Sequence, residues 1–156
     1  MLNKNTIYVT FITIVGFLTR LININQPILE VAGWRQCYTA SVARNFYYNG
    51  MNIFYPQALN YGDSNGYIGG TEFNIYPFAV AILYKFFGVH ECLGRLVSIV
   101  AFCGGAFFLY KLTRKYAGNA SGLIALLFYT FNPYIFFYSR SFQPESTMLF
   151  FSITML

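Results

Sequence analysis

Apolar runs without a single charge follow one another along the chain and are separated by charged or polar stretches. Uncharged runs of mainly apolar residues include 5–19, 96–110, 116–139 and 146–156. Because about 20 apolar residues are needed to cross the roughly 30 Å hydrocarbon layer of a bilayer, runs of this kind are typical of membrane-crossing helices. The pattern therefore predicts an all-α integral membrane protein, built as a multi-helix transmembrane bundle.

The same pattern divides residues 1–156, taken as one transmembrane domain, into helices and loops. The polar stretch after the first helix contains a helix of its own, because Tyr38, Val42 and Phe46 recur every four residues and share one side. The predicted segments are transmembrane helices at 6–22, 94–112 and 117–138, a large outer loop at 23–72 with a surface helix at 36–48, a re-entrant or surface-lying apolar segment at 73–87, a second outer loop at 139–145, and the start of another transmembrane helix at 147–156.

The apolar segments at the two ends of the chain each need an interpretation. The first apolar segment follows Lys4 and resembles a signal peptide in position, but no small-residue cleavage motif follows it and its apolar run is long. A retained first helix is therefore the favoured interpretation. The last apolar run, 147–156, stops without a polar flank or a closing charge. We expect the chain to be a truncated part of a longer protein.

Basic residues predict the orientation in the membrane. Lys111, Arg114 and Lys115 lie between two predicted crossings, and cytoplasmic segments carry an excess of Lys and Arg. If this cluster and Lys4 face the cytoplasm, the segment 73–87 cannot cross the membrane fully, and both polar loops lie on the opposite, outer side. If the segment does cross, the cluster faces outward. We favour the first arrangement.

Composition agrees with a membrane protein and narrows its partners. Charged residues make up 10% of the chain, apolar residues 56% and aromatic residues 21%, whereas a soluble domain has about 25% charged residues. The ten basic residues outnumber the five acidic ones, but they lie at the ends of apolar runs, so we expect membrane lipids and no nucleic acid as partners. Cys37, Cys92 and Cys103 have no metal or redox spacing and are predicted to be small buried apolar residues.

Polar groups that could carry chemistry gather next to the predicted crossings. Glu30, Trp34 and Arg35 lie close together after the first helix, so a carboxylate, an indole and a guanidinium should lie at the membrane surface. An interfacial Trp and a lipid-phosphate-binding Arg would explain two of them without a site. Glu72 and Glu145 are the other carboxylates beside apolar segments, where acidic groups are costly unless solvated or paired. They are therefore candidate site residues.

Several blocks of sequence occur in an order that resembles a known family. Gly-Trp-Arg-Gln-Cys-Tyr-Thr-Ala-Ser-Val-Ala-Arg-Asn-Phe lies at 33–46, Glu-Phe-Asn-Ile-Tyr-Pro at 72–77, Leu-Tyr-Lys-Phe-Phe-Gly-Val-His-Glu at 83–91, and Ser-Arg-Ser-Phe-Gln-Pro-Glu at 139–145. These blocks are similar to the amino-terminal part of the GT-C membrane glycosyltransferases. Within them the resemblance is to bacterial members of the protein mannosyltransferase and aminoarabinose transferase superfamily, in the branch with a Trp-Arg-Gln signature.

The resemblance implies a GT-C bundle that transfers a sugar from a polyprenyl phosphate carrier to an acceptor at the outer membrane face. The acidic pair that many family members carry falls on Arg35 and Gln36 here, and the Trp-Arg-Gln branch has an acid four residues before the Trp, which makes Glu30 the candidate catalytic base. Arg35 would hold the phosphate. The other substrate-binding candidates are Trp34, Gln36, Tyr38, Glu72, Tyr76, Arg140 and Glu145. The sequence does not establish a cofactor, and Glu72 and Glu145 could complete a site that binds either the acceptor or a divalent cation.

Two other classes of function stay open. A transporter or channel fragment would place the same carboxylates along a solute path, but the polar groups of this chain are concentrated in one loop. A small accessory membrane subunit would only pack against partners. The favoured interpretation is a multi-pass transferase of the bacterial inner membrane. Because the family has a larger helical body and often a soluble carboxy-terminal domain, we expect these 156 residues alone to be inactive.

Overall fold

The computed structural model describes residues 4–28, 33–58, 67–68 and 74–156. The described part is mainly helical, as the all-α prediction requires, with one antiparallel ladder in which Gln57 pairs with Ile68 and Ala58 with Tyr67. The sequence pattern gave no sign of this ladder. The elements are α1 (Lys4–Leu21), α2 (Gly33–Asn49), β1 (Gln57–Ala58), β2 (Tyr67–Ile68), α3 (Ile75–Phe87), α4 (Glu91–Phe131), α5 (Pro133–Tyr138) and α6 (Glu145–Thr154).

Helix α4 is a hairpin of two antiparallel arms, 91–117 and 119–131. Gly118 interrupts it with φ 86° and ψ 174°, a backbone conformation that favours glycine. The rings of Phe102 and Tyr129 stack with centroids 5.2 Å apart, and a Cβ on Gly122 would lie 3.1 Å from the ring of Tyr110. Contacts between residues so far apart in sequence require the arms to fold back on each other. The break thus falls on Gly118, after the basic cluster, and not at 113–116.

A second break divides the predicted helix 117–138. Helix α4 ends at Phe131, and α5 begins after Asn132, whose φ of −61° and ψ of 124° are extended. The residue before a proline avoids the helical conformation, and Pro133 then suits the first helical position. The Asn132 side chain accepts hydrogen bonds from the backbone N–H groups of Tyr134 (2.9 Å) and Ile135 (3.2 Å) and so caps α5.

The bundle core lies where α1 and α6 pack against the α4 hairpin. A Cβ on Gly16 of α1 would lie 2.7 Å from the Thr130 side chain, and one on Gly104 would lie 2.8 Å from the ring of Phe150 on α6. Small residues at these points allow the helix backbones to approach closely, as in membrane bundles. The buried apolar residues at the centre are Phe102, Ala106, Leu126, Tyr129 and Ile153.

Length and apolar composition identify α4 as the one helix of the described residues that could cross a membrane, while 5–21 and 75–87 are apolar but shorter. The large outward-facing apolar side chains of α1 include Ile7, Phe11 and Leu18, which are 52%, 65% and 55% exposed. Surfaces of this kind are suited to lipid or to further helices. They agree with a membrane-embedded helical protein.

The start of α4 lies against the segment that follows α1. Arg95 in the first turn of α4 donates hydrogen bonds to the carbonyl oxygens of Ile24 (2.8 Å), Gln26 and Pro27 (3.4 Å). The segment after α1 and the start of α4 therefore lie at the same end of the bundle, which we call the site end. Within that stretch α2 packs on α3. The cluster 111–115 lies at the far end of the first α4 arm.

Candidate functional site

An ion pair joins two segments that are far apart in sequence. Arg35 Nη1 of α2 lies 2.7 Å from Glu145 Oε1, the first residue of α6, and the two side chains are 34% and 18% exposed. A guanidinium and a carboxylate at this distance form a close salt bridge. The structure thus brings together two of the predicted site residues, one from each of the two predicted outer loops.

Both members of this pair lie in the first turn of a helix, where a negative charge is favoured and a positive charge is disfavoured. Glu145 occupies the first turn of α6, where the helix dipole favours a negative charge. Arg35 lies in the first turn of α2, because α2 begins at Gly33 and not at the predicted residue 36. A cation is disfavoured at that end of a helix, so Glu145 compensates the charge of Arg35. An anionic ligand arriving at Arg35 would compete with Glu145.

Gln36 holds the second loop in place beside the pair. Its side chain is fully buried, and its Oε1 accepts a hydrogen bond of 3.0 Å from the backbone N–H of Phe142. The Phe142 ring fills the space over Gly94 of α4. Gln36 therefore acts through Phe142 on the position of the loop that carries Glu145, and its burial leaves no surface for a substrate.

Tyr76 is also buried, with 1% of its surface exposed. Its hydroxyl donates to the Gly94 carbonyl oxygen at 2.8 Å, and Ser98 Oγ lies 3.1 Å from that hydroxyl and 2.9 Å from the carbonyl oxygen of Ser141. The ring meets Phe142 edge-on, with centroids 5.8 Å apart. These contacts connect α3 and α4 to the second loop and give Tyr76 a positioning role.

A cavity of about 270 Å³ opens beside the ion pair, between α5 and α6. Its wall is mainly apolar and aromatic, and the Glu145 carboxylate is its charged group. The residues that line the cavity are Tyr134, Ile135, Tyr138, Glu145, Ser146, Met148, Leu149 and Ser152.

Comparison with known proteins assigns the family. Residues 75–156, just over half of the chain, match the family model for dolichyl-phosphate-mannose-protein mannosyltransferases. The chain belongs to this family. No curated protein and no solved structure was found to match the chain.

Membership confirms the resemblance found in the sequence, and with it a membrane-embedded glycosyltransferase of the GT-C kind. The matched region of this mannosyltransferase-family protein includes Tyr76, Arg140 and Glu145. It excludes Arg35 and the rest of the Trp-Arg-Gln block. The contact between Arg35 and Glu145 therefore joins the matched region to the part of the chain before it.

The remaining described candidates have different surroundings. Trp34 is 79% exposed on the first turn of α2, next to Arg35. Tyr38 is half-buried and packs on the apolar cluster that includes Val42 and Phe46, so packing accounts for its position. Arg140 is half-buried in the second loop, directly after the buried Ser139.

Glu30 and Glu72 lie outside the described residues, so the structure leaves their predicted roles as predictions. Among the residues that the structure does describe, no group of three or more His, Cys, Asp or Glu side chains could hold a metal ion. Glu145 pairs with Arg35, which weakens its case as a cation ligand. The divalent cation at Glu72 and Glu145 stays a prediction, because Glu72 lies outside the described residues.

Sequence reasoning missed the buried polar residues that support the site. Ser98 is fully buried and Arg95 is 2% exposed, and both hold loops at the site end. Arg20 lies near the end of the first apolar run, and it is 1% exposed inside the bundle. A single arginine near the end of an apolar run has the same sequence signature whether it is buried or exposed. Only the packing of the other helices distinguishes the two cases.

Proposed function

We propose that this mannosyltransferase-family protein transfers a sugar from a polyprenyl-phosphate donor to an acceptor at the outer face of the membrane. The observation that carries the proposal is the Arg35 to Glu145 ion pair beside the α5 and α6 cavity. A cation next to a largely apolar cavity suits a ligand with a phosphate at one end and a hydrocarbon chain at the other. A polyprenyl-phosphate sugar has both parts.

Arg35 is the group that we assign to the donor phosphate. Its planar guanidinium can bind phosphate through two parallel hydrogen bonds. Glu145 occupies Nη1 at 2.7 Å in the present state, so phosphate binding would replace or share that contact. The aromatic and apolar wall formed by Tyr134, Met148 and Leu149 would take the first part of the prenyl chain. Exposed Trp34 lies where it could contact the sugar.

Glu30 is the group that we assign to proton removal from the acceptor. In the sequence Glu30 lies three positions before Gly33, the first residue of α2, and five positions before Arg35. A general base in that position would activate an acceptor hydroxyl while the phosphate leaves.

The site end is proposed to face outward, and the cluster 111–115 to face the cytoplasm of a bacterial inner membrane. The contacts of Arg95 with the segment after α1 support this arrangement. They place the two ends of the stretch that contains α2 and α3 at the same end of the bundle. An impermeant maleimide should therefore label a cysteine at Asn52 but not one at Arg114, in a cysteine-free background. Labelling of the Arg114 position from outside would reverse the orientation.

Donor choice tests the proposed function. The full-length protein would be reconstituted in liposomes with the same radiolabelled sugar supplied on a short polyprenyl phosphate or on a nucleoside diphosphate. We expect transfer from the lipid-linked sugar alone. Transfer from the nucleotide, or transport of the free sugar into the liposomes without transfer, would contradict the proposal and favour a different transferase or a transporter.

A further inference from the structure

A second cavity, of about 420 Å³, lies at the other end of α2. It is formed where α2 ends at Asn49 and the chain turns through Gly50 towards β1. Gly50 has a φ of 121°, which lets the chain reverse and leave a hollow against the helix. The volume is in the range of natural small-ligand sites, which measure roughly 300 to 1,000 Å³. The cavity is separate from the one beside Arg35.

The described lining of this cavity, which we call the amide cavity, contains four carboxamide side chains, and none of the described lining residues is charged. Asn45, Asn49, Asn52 and Gln57 supply the amides, and Tyr55 supplies an aromatic ring that is 52% exposed. A carboxamide can donate through its nitrogen and accept through its oxygen. A wall of this composition offers both partners to a hydroxyl group, and it offers no counter-charge to an ion.

Internal hydrogen bonds hold these amides in place without using them up. Asn45 Nδ2 donates to the Gln57 carbonyl oxygen, and Asn49 Nδ2 donates to Gln57 Oε1, each at 2.8 Å. No described residue accepts a hydrogen bond from Gln57 Nε2 or Asn52 Nδ2. Fixed amides with remaining donors form a preorganised polar site, which lowers the entropic cost of binding.

We infer that the amide cavity binds a neutral saccharide. Sugar hydroxyls match the amide donors and acceptors, and the face of the Tyr55 ring suits the C–H face of a pyranose. The described lining residues offer amides and no cation, which favours a neutral ligand over a phosphate or a carboxylate. Ten residues of α2 separate Asn45 from Arg35, a distance of about 15 Å along the helix. A sugar in the cavity is therefore not the unit being transferred.

The site would hold a distal unit of an extended acceptor or product glycan. This assignment to acceptor or product rests on the proposed function, whereas saccharide binding itself does not. Asn49, Asn52 and Tyr55 are exposed, whereas Asn45 is buried. The ligand would therefore enter the cavity from the side on which the three exposed residues lie.

Saturation-transfer NMR with mannotriose, a neutral trisaccharide, tests the inference on the full-length protein in lipid nanodiscs. We expect saturable binding that weakens roughly three- to ten-fold in Tyr55→Ala, the scale of one lost aromatic contact, and similarly in Asn49→Leu. Phe54→Ala is the matched control, because Phe54 is a neighbouring aromatic residue that is 90% exposed and does not line the cavity. It should bind as wild type does.

Arg35→Gln separates this inference from the proposed function. It should abolish most lipid-linked transfer and leave mannotriose binding unchanged. If transfer failed in every form while binding persisted, only the proposed function would fall. No binding to wild type, or equal binding in Tyr55→Ala, Asn49→Leu and Phe54→Ala, would overturn the saccharide site. So would binding of the neutral peptide acetyl-Ala-Thr-Ala-amide in its place.

Discussion

Arg20 and Arg35 lie in different chemical surroundings. In the sequence Arg20 lies near the end of the first apolar run, and Arg35 lies in the polar stretch that follows it. Arg20 is 1% exposed and donates to the carbonyl oxygens of Gly16 (2.9 Å) and Thr130 (3.0 Å) and to Ser139 Oγ. Its guanidinium carbon lies 3.6 Å from the centroid of the Phe102 ring. Arg35 is part-exposed and contacts the Glu145 carboxylate beside a cavity.

The difference separates an arginine that joins helices from one that can exchange ligands. Arg20 connects α1, α4 and the second loop through neutral acceptors and a ring, and a ligand has no access to it. Arg35 has an anionic partner, and anions such as phosphate can replace one another at a guanidinium. We therefore assign the bundle interior to stability and the junction of α2 with α6 to chemistry.

The largest expected effect on chemistry is that of Glu30→Gln in the full-length protein. Removal of a general base costs about 10²- to 10⁴-fold in rate, so transfer from the lipid-linked sugar should fall by that factor while the protein still folds. The measurement is the initial rate of transfer per amount of folded protein. A rate within a few-fold of wild type would move the catalytic assignment to another carboxylate.

Arg20→Met should act on folding instead. It leaves the Thr130 carbonyl oxygen and Ser139 Oγ without their arginine partner, and a buried unsatisfied group costs roughly 1–3 kcal/mol. Heating in detergent followed by size exclusion should therefore show unfolding at a clearly lower temperature. Arg114→Met is the control, because Arg114 is exposed at the other end of the bundle. If both variants behaved as wild type does, the bundle interior would not depend on Arg20.

Local signals in the sequence predicted most of the helices, but they did not predict that α4 folds back on itself at Gly118. Apolar runs identified the stretches that became α1 and α3, and the four-residue recurrence from Tyr38 to Phe46 identified α2. The Asn132 to Pro133 step contains a helix break that apolar periodicity hides, because Phe131 and Tyr134 continue the run. The hairpin at Gly118 depends on contacts such as Phe102 with Tyr129, which no local pattern contains.

The sequence predicted which residues belong to the candidate site more readily than it predicted what each of them does there. Arg35 and Glu145 were both candidates, but their pairing depends on how α2 and α6 pack on α4. The family resemblance predicts Gln36 and Tyr76 as substrate-binding residues. Burial gives them positioning roles, through Phe142 and through Gly94 and Ser98. Sequence alone does not show on which side of a helix the rest of the protein lies.

The central claim is that Arg35 binds the donor phosphate, and transfer by Arg35→Lys and Arg35→Gln tests it most directly. Hydrogen bonds to charged groups are worth about 1.5–3 kcal/mol, so kcat/KM for the lipid-linked sugar should fall roughly 10- to 100-fold in Arg35→Gln. Arg35→Lys keeps the charge but loses the two-pronged geometry, so it should lose less. Rates normalised to folded protein that followed this order would support the account. Equal rates in wild type and both variants would contradict it.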